Sequence, residues 1–245
     1  MSGAAEASAS LVFAGDCPAT ATKTGALVRT LMDVQGSGGR LVRHRVEVPA
    51  GAAYEGTAGP AGQLWFVIDG QGRLDLGGTP GPQVSADDGL RVHGGTGYRL
   101  VAAGAGTSLD VVELPGDAGQ PAGQAGQPVV AALADRPAEW TGDRRFRVLF
   151  GPGEGCELAT QFVGEIPPGR APEHSHTYDE VVLILAGQGV VHLPAGDRPL
   201  TAGSCVHLPP GTAHCLENTG QGTLMVLGVF HPGGSPAAKR VSGAS

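Results

Sequence analysis

Charge is scarce in this 245-residue chain: only 16% of its residues are Asp, Glu, Lys or Arg, and no basic cluster exceeds two adjacent residues. A nucleic-acid groove needs a basic stripe, and the net charge here is −7, so that class of partner is not expected. Apolar runs are short; none approaches the roughly 18 residues of a membrane-spanning helix. The opening "MSGAAEASAS" lacks the basic and apolar regions of a secretion signal. Cysteine is sparse too. Cys17, Cys156, Cys205 and Cys215 form no C-x-x-C pair, which fits free thiols in a cytoplasmic protein, although Cys205 and Cys215 could be neighbours across a barrel. Helical periodicity is almost missing, with "ALADRPAEW" its nearest approach.

What the chain has is punctuation. It holds 42 Gly and 19 Pro, spaced between short β-branched or aliphatic runs such as "VVLILAG", "GVVHLPAG" and "TLMVLGVF". Runs of that length, each closed by Gly or Pro, predict an all-β sandwich or small barrel. The chain is also written twice. "VEVPAG" (46–51) returns as "GEIPPG" (164–169), "LWFVIDGQG" (64–72) as "VVLILAGQG" (181–189), and "DGLRVHGGTG" (88–97) as "AGSCVHLPPG" (202–211). Their order is preserved, which predicts two copies of one β module. Between the copies, "PGDAGQPAGQAGQP" (115–128) reads as a linker, and "VVAALADRPAEW" (129–140) as a short strand or turn. Residues 1–15 and 233–245 are small and polar, and frayed ends are expected there.

The second copy carries the chemistry. In "EHSHTYDE" (173–180), His174 and His176 alternate, so on a strand they share a face, and Glu180 can return beside them after a short turn. Such a grouping suggests a metal site. The full pattern is "HSHTYDEVVLILAGQG" followed by "GSCVHLPPGTAHCLEN". It resembles the two signature motifs of the cupin superfamily, strongly over about 160–232 and weakly over about 41–114. The one departure is four rather than five residues between Gly169 and His174.

The resemblance implies two tandem cupin jelly-roll barrels, each a double-stranded β-helix. They would comprise a degenerate, metal-free barrel (1–117), a linker (118–140), a metal-binding barrel (141–235) and a tail (236–245). It implies that His174, His176, Glu180 and His214 bind one divalent transition metal, Fe(II) first, with Mn, Ni, Zn or Cu as alternatives. Three imidazoles and a carboxylate suit those ions and leave a coordination position open for substrate or O₂. Pro209 and Gly211 would turn the chain toward His214, and Gly187 and Gly189 would close a hairpin after the Glu180 strand. Aligning the copies puts Thr57, Gly59, Gln63 and Leu100 at the four ligand positions of the first module, so no metal is expected there. A ligand pocket around Trp65, Tyr98 and His93 is the functional alternative for that copy.

Other residues carry weaker readings. His192 and His207 are expected to be solvated or core histidines, His231 a surface residue and Asn218 a turn residue. Tyr178 faces either the pocket mouth or solvent, Gln161 is a candidate cavity-lining residue, and Val182, Ile184 and Val206 are candidates for an apolar lining. The expected protein is a monomer or homodimer. Three functions follow. The first is a metal-dependent dioxygenase on a small organic substrate, with Glu180 also available as a base. The second is a non-redox isomerase, cyclase or decarboxylase, and the third a non-catalytic cupin that binds a small molecule.

Overall fold

A computed structural model describes residues 9–33, 40–116 and 129–237. Most of the linker reading, the last residues of the tail and the first eight residues lie outside the described residues. The strands are, in chain order, Ser10–Phe13 (β1), Thr20–Ala21 (β2), Leu27–Met32 (β3), Val42–Pro49 (β4), Ala53–Thr57 (β5), Gln63–Leu76 (β6), Gln83–Ser85 (β7), Asp88–Val92 (β8), Gly97–Glu113 (β9) and Val129–Ala132 (β10). The second half continues with Glu139–Thr141 (β11), Arg144–Phe150 (β12), Thr160–Ile166 (β13), Gly169–Arg170 (β14), Asp179–Ala186 (β15), Gln188–His192 (β16), Arg198–Thr201 (β17), Ser204–Leu208 (β18), Cys215–Asn218 (β19) and Leu224–His231 (β20). No α-helix occurs among the described residues.

Three sheets result. One runs β10-β8-β6-β9-β4-β3-β2, with β5 and β7 added on β9 and β6. The second runs β1-β18-β15-β20-β13-β12-β11, and the third β14-β19-β16-β17. All named pairings are antiparallel, and alternating side chains give each sheet one apolar inner face. The turn at Gly187 differs from the expected hairpin. Gly187 has φ +90°, but β15 pairs with β18 and β20 while β16 pairs with β17 and β19, so the turn carries the chain from one sheet into the other. A Cβ there would meet the Thr223 carbonyl oxygen at 2.8 Å, which is why glycine occupies the corner.

The two interiors differ. In the first half Tyr54, Trp65 and Tyr98 are buried together, with Trp65 and Tyr98 ring centroids 4.9 Å apart edge to face. Gln63 Oε1 accepts the Trp65 indole N–H at 2.9 Å, and Leu100 packs in the same cluster. Trp65 and Tyr98, two of the three residues expected around a pocket, therefore pack into this core against each other. In the second half Val182, Ile184, Val191, Val206 and Leu208 form a smaller cluster. A third cluster joins the halves, setting Leu31, Leu41, Phe66 and Val112 against Leu149, Val181, Leu183 and Leu227.

The sheets also exchange edges. β1 comes from the start of the chain yet pairs with β18, Leu11 opposite Val206; β10 precedes the second half yet pairs with β8, Val130 opposite Leu90. Residues 10–13 are thus a paired strand rather than part of a frayed end. Deleting residues 1–13 should expose the β18 edge and lower the thermal midpoint by about 2–4 °C per kcal/mol lost. Scanning calorimetry with light scattering checks this; an unchanged midpoint would show that β1 contributes nothing.

Candidate metal centre

The site forms where two short segments meet. His174 and His214 make an isolated antiparallel bridge, each backbone N–H reaching the other's carbonyl at 3.0 and 2.9 Å. The P-x-G turn sets up that meeting. Gly211, at φ +81°, donates its N–H to the His176 carbonyl at 2.7 Å, and Thr212 N–H closes on Pro209. As a result one donor atom from each of His174, His176 and His214 lies within 4.8 Å of the others, and all three residues are buried.

Tautomers follow from the partners. His174 Nδ1 lies 3.1 Å from the Pro172 carbonyl and His214 Nδ1 lies 2.8 Å from the Thr212 carbonyl. A carbonyl only accepts, so both Nδ1 atoms carry the proton, and Nε2 is the atom each ring can offer a cation. Glu180, on β15, puts Oε2 3.4 Å from His176 Nε2. The donor set therefore fits a divalent transition ion: three imidazoles brought together, with a carboxylate at their edge.

Burial governs the electrostatics. Glu180 is desolvated, which pushes its carboxyl up to about 8 in the metal-free chain; the Arg43 charge opposes the rise and Asp179 adds to it. Tyr178 is buried, not solvent-facing. Its ring stacks on His176 at 4.4 Å and on Phe230 at 4.0 Å, and burial, then Glu180, raise its phenol so that it stays protonated.

A cavity of about 90 Å³ opens on these residues, lined also by Val182, Leu208, Phe162 and Arg144. That is far below the roughly 300–1,000 Å³ of drug-sized pockets. Arg144 was not singled out in the sequence. It donates Nη2 to the Leu216 carbonyl at 3.0 Å and forms no carboxylate ion pair among the described residues, whereas its neighbours Arg145 and Arg147 are both engaged by Glu165. Burial lowers the Arg144 guanidinium from its ordinary value, though an arginine stays cationic.

The remaining candidates lie elsewhere. Gln161 is fully buried between β12 and β20, its amide atoms lacking a partner among the described residues, and it does not line the cavity. Ile184 and Val206 pack behind Val182. His231 is buried, not on the surface, and donates Nδ1–H to the Leu158 carbonyl at 2.6 Å. His192 bridges two carboxylates, Asp197 at 2.7 Å and Glu217 at 2.8 Å, while His207 is a core residue bound to Asp179 at 2.6 Å. Asn218 ties its turn together through Ile166, Gly220 and Gly222.

The family model of the Cupin domain matches residues 162–230, which span every histidine of this site. Over residues 162–230 the chain is similar to the Cupin domain. The chain is 28% identical over 115 residues to auxin-binding protein 1 of Arabidopsis thaliana, covering 42% of the chain and 58% of that relative. It is 37% identical over 68 residues to an oxalate-binding protein of Thermotoga maritima, covering 27% and 56%. The chain thus spans just over half the length of these curated relatives. Among solved structures, a mutant of Bacillus subtilis oxalate decarboxylase OxdC superposes with a TM-score of 0.75 at 14% identity, over 95% of this chain and 79% of that one. The formate complex of Lactobacillus farciminis oxalate decarboxylase gives 0.72 at 15%, over 91% and 86%. Protein Ylba of E. coli gives 0.75 at 12%, over 92% and 91%. At such identities the likeness is one of fold, and the all-β, cupin-type jelly-roll class expected from the sequence holds.

Two outcomes test this candidate metal centre. Protein purified without chelator should carry a divalent metal that His176→Ala loses, as elemental analysis will show. The pH dependence follows from Glu180. Its folded value of about 8 lies above the ordinary 4.5, so the metal-free protein keeps an extra proton between them. Glu180's contribution to stability is fully present below 4.5 and is lost as pH rises through about 8. A bound cation displaces that proton, so metal uptake should strengthen over the same window and flatten the stability profile, and Glu180→Gln should weaken this dependence, leaving the part set by the imidazoles, which must also be neutral to bind. Denaturant titrations across pH measure both.

Proposed function

We propose that this chain is a metal-dependent enzyme acting on a small organic acid, and that decarboxylation is its reaction. The observation that carries the reading is the small cavity, which is lined by the three histidines, Glu180 and the half-buried Arg144, whose guanidinium makes no carboxylate ion pair among the described residues. His174, His176, His214 and Glu180 would hold the ion, with manganese(II) and iron(II) both suited to the donors. When bound, the ion supplies Lewis acidity toward chelating oxygens.

The chain's own residues do the rest. Arg144 binds and orients a substrate carboxylate. Val182, Leu208, Phe162 and Val226 exclude water around it, which strengthens every charge interaction inside. Tyr178 keeps its proton, and its phenol can donate a hydrogen bond to a substrate oxygen. Glu180, swung away from the ion, would serve as the base. The names of the similar proteins, an oxalate-binding protein and two oxalate decarboxylases, support a short dicarboxylic acid as the first substrate to try.

Dioxygenation is the second reading, favoured by the same donor set with its open coordination positions. A cavity of about 90 Å³ leaves little room for O₂ beside a chelated substrate, which places this reading behind decarboxylation.

Oxalate and related short keto, hydroxy and dicarboxylic acids should release CO₂ without stoichiometric uptake of O₂. An electrode and a CO₂ assay run together distinguish the readings: one O₂ consumed per turnover would establish the dioxygenase. Arg144→Gln should raise KM for the acid by roughly 10- to 100-fold, the loss of one charge-assisted contact of about 1.5–3 kcal/mol, with metal content unchanged.

A further inference from the structure

Glu180 stands between two residues that the other half of the chain grips. On one side, Asp179 Oδ2 accepts the backbone N–H of Arg40 at 2.7 Å. On the other, the Val181 carbonyl accepts Arg43 Nη1 at 2.9 Å. Arg43 Nη2 also reaches the Leu227 carbonyl at 3.1 Å, on β20, the strand beside β15. Arg43 is itself fixed, since Asp110 takes its Nε at 2.7 Å and its Nη2 at 3.0 Å, and both side chains are fully buried. Asp179 is held from both oxygens, with His207 Nε2 2.6 Å from Oδ1 and the Arg40 N–H on Oδ2. Along β15, residues 179 and 181 project opposite to 180. The grip therefore acts on the back of the strand whose front presents Glu180 to the histidines.

We propose that Arg43, with Asp179, is a positioning device for the metal centre: the half without the histidine cluster sets where Glu180 sits, and so sets the affinity and symmetry of the ion's surroundings in the other half. This rests on the metal reading above. Adhesion between the halves does not require the device. An apolar cluster already joins them, and for adhesion alone a buried ion pair is replaceable by apolar side chains of similar volume. What Arg43 adds is direction: a planar fork with its donors committed to fixed acceptors on two neighbouring strands.

The test uses the full chain, stripped of metal, with manganese(II) alone as probe. Arg43→Met combined with Asp110→Leu removes both charges together, so neither is left buried and unpaired. Arg43→Lys is the milder variant, retaining charge but not the fork, and circular dichroism confirms folding of each. Leu31→Ala is the control, loosening the same interface without touching residues 179–181. Supporting behaviour is a 10- to 100-fold weaker manganese(II) affinity by calorimetric titration in the double variant, the range typical of lost outer contacts to metal ligands. It includes a smaller loss in Arg43→Lys, a changed manganese(II) EPR line shape in both, and neither effect in Leu31→Ala. Wild-type affinity and line shape in whichever Arg43 variants fold would overturn the proposal. So would an equal loss in Leu31→Ala, which would mark general loosening. Failure of the wild-type chain to take up any divalent metal would refute the metal reading itself, a result distinct from the other two.

Discussion

A guanidinium sealed from water must find all its partners inside the protein, and Arg43 does. Five donors cannot be left unpaired without a penalty of several kcal/mol, and removing one member of such a pair typically costs about 3–5 kcal/mol. Total stabilities are only about 5–15 kcal/mol. Its partners are drawn from both halves: Asp110 from β9, the Val181 carbonyl from β15 and the Leu227 carbonyl from β20. The relative placement of the sheets is therefore fixed by direction as well as by apolar contact, and the strand that bears Glu180 inherits that placement.

The two interiors show what one architecture does with opposite contents. Around Trp65 the first half spends its inner volume on aromatic rings, and Gln63 accepts the Trp65 indole N–H. The second half leaves a small space and surrounds it with imidazoles, a carboxylate and a cation. Apolar neighbours make the difference consequential. They raise the proton affinity of Glu180, while among the described residues Arg144 bonds a backbone carbonyl in place of a carboxylate. In the function proposed above, both conditions would be relieved by charges that arrive from outside, a metal ion for the one and an acid for the other.

Much of this was legible because it is local. The alternation of His174 and His176, the P-x-G turn before His214 and the glycine at 187 each act within a few residues, and their spacing survives in the sequence. What escaped is long-range. Arg43, Arg45 and Glu47 alternate on β4 as a solvent-facing row would, and nothing nearby in sequence says that Arg43 meets the other half of the chain. His231 follows the last inward run and looks terminal, yet it closes onto the Leu158 carbonyl. Gln161 lies on a strand near the cavity, but its side chain does not line it. Arg144 belongs to a run of arginines in which only geometry distinguishes the one without a carboxylate.

The crossed edges carry a further consequence. Because β1 completes the sheet of the second half and β10 completes that of the first, the covalent connection between residues 116 and 129 is not what keeps the halves together. A chain severed once in that interval would yield two fragments that remain clasped, each holding the outermost strand of the other, like hands with linked fingers. The joint of this molecule is woven, and cutting its thread does not undo it.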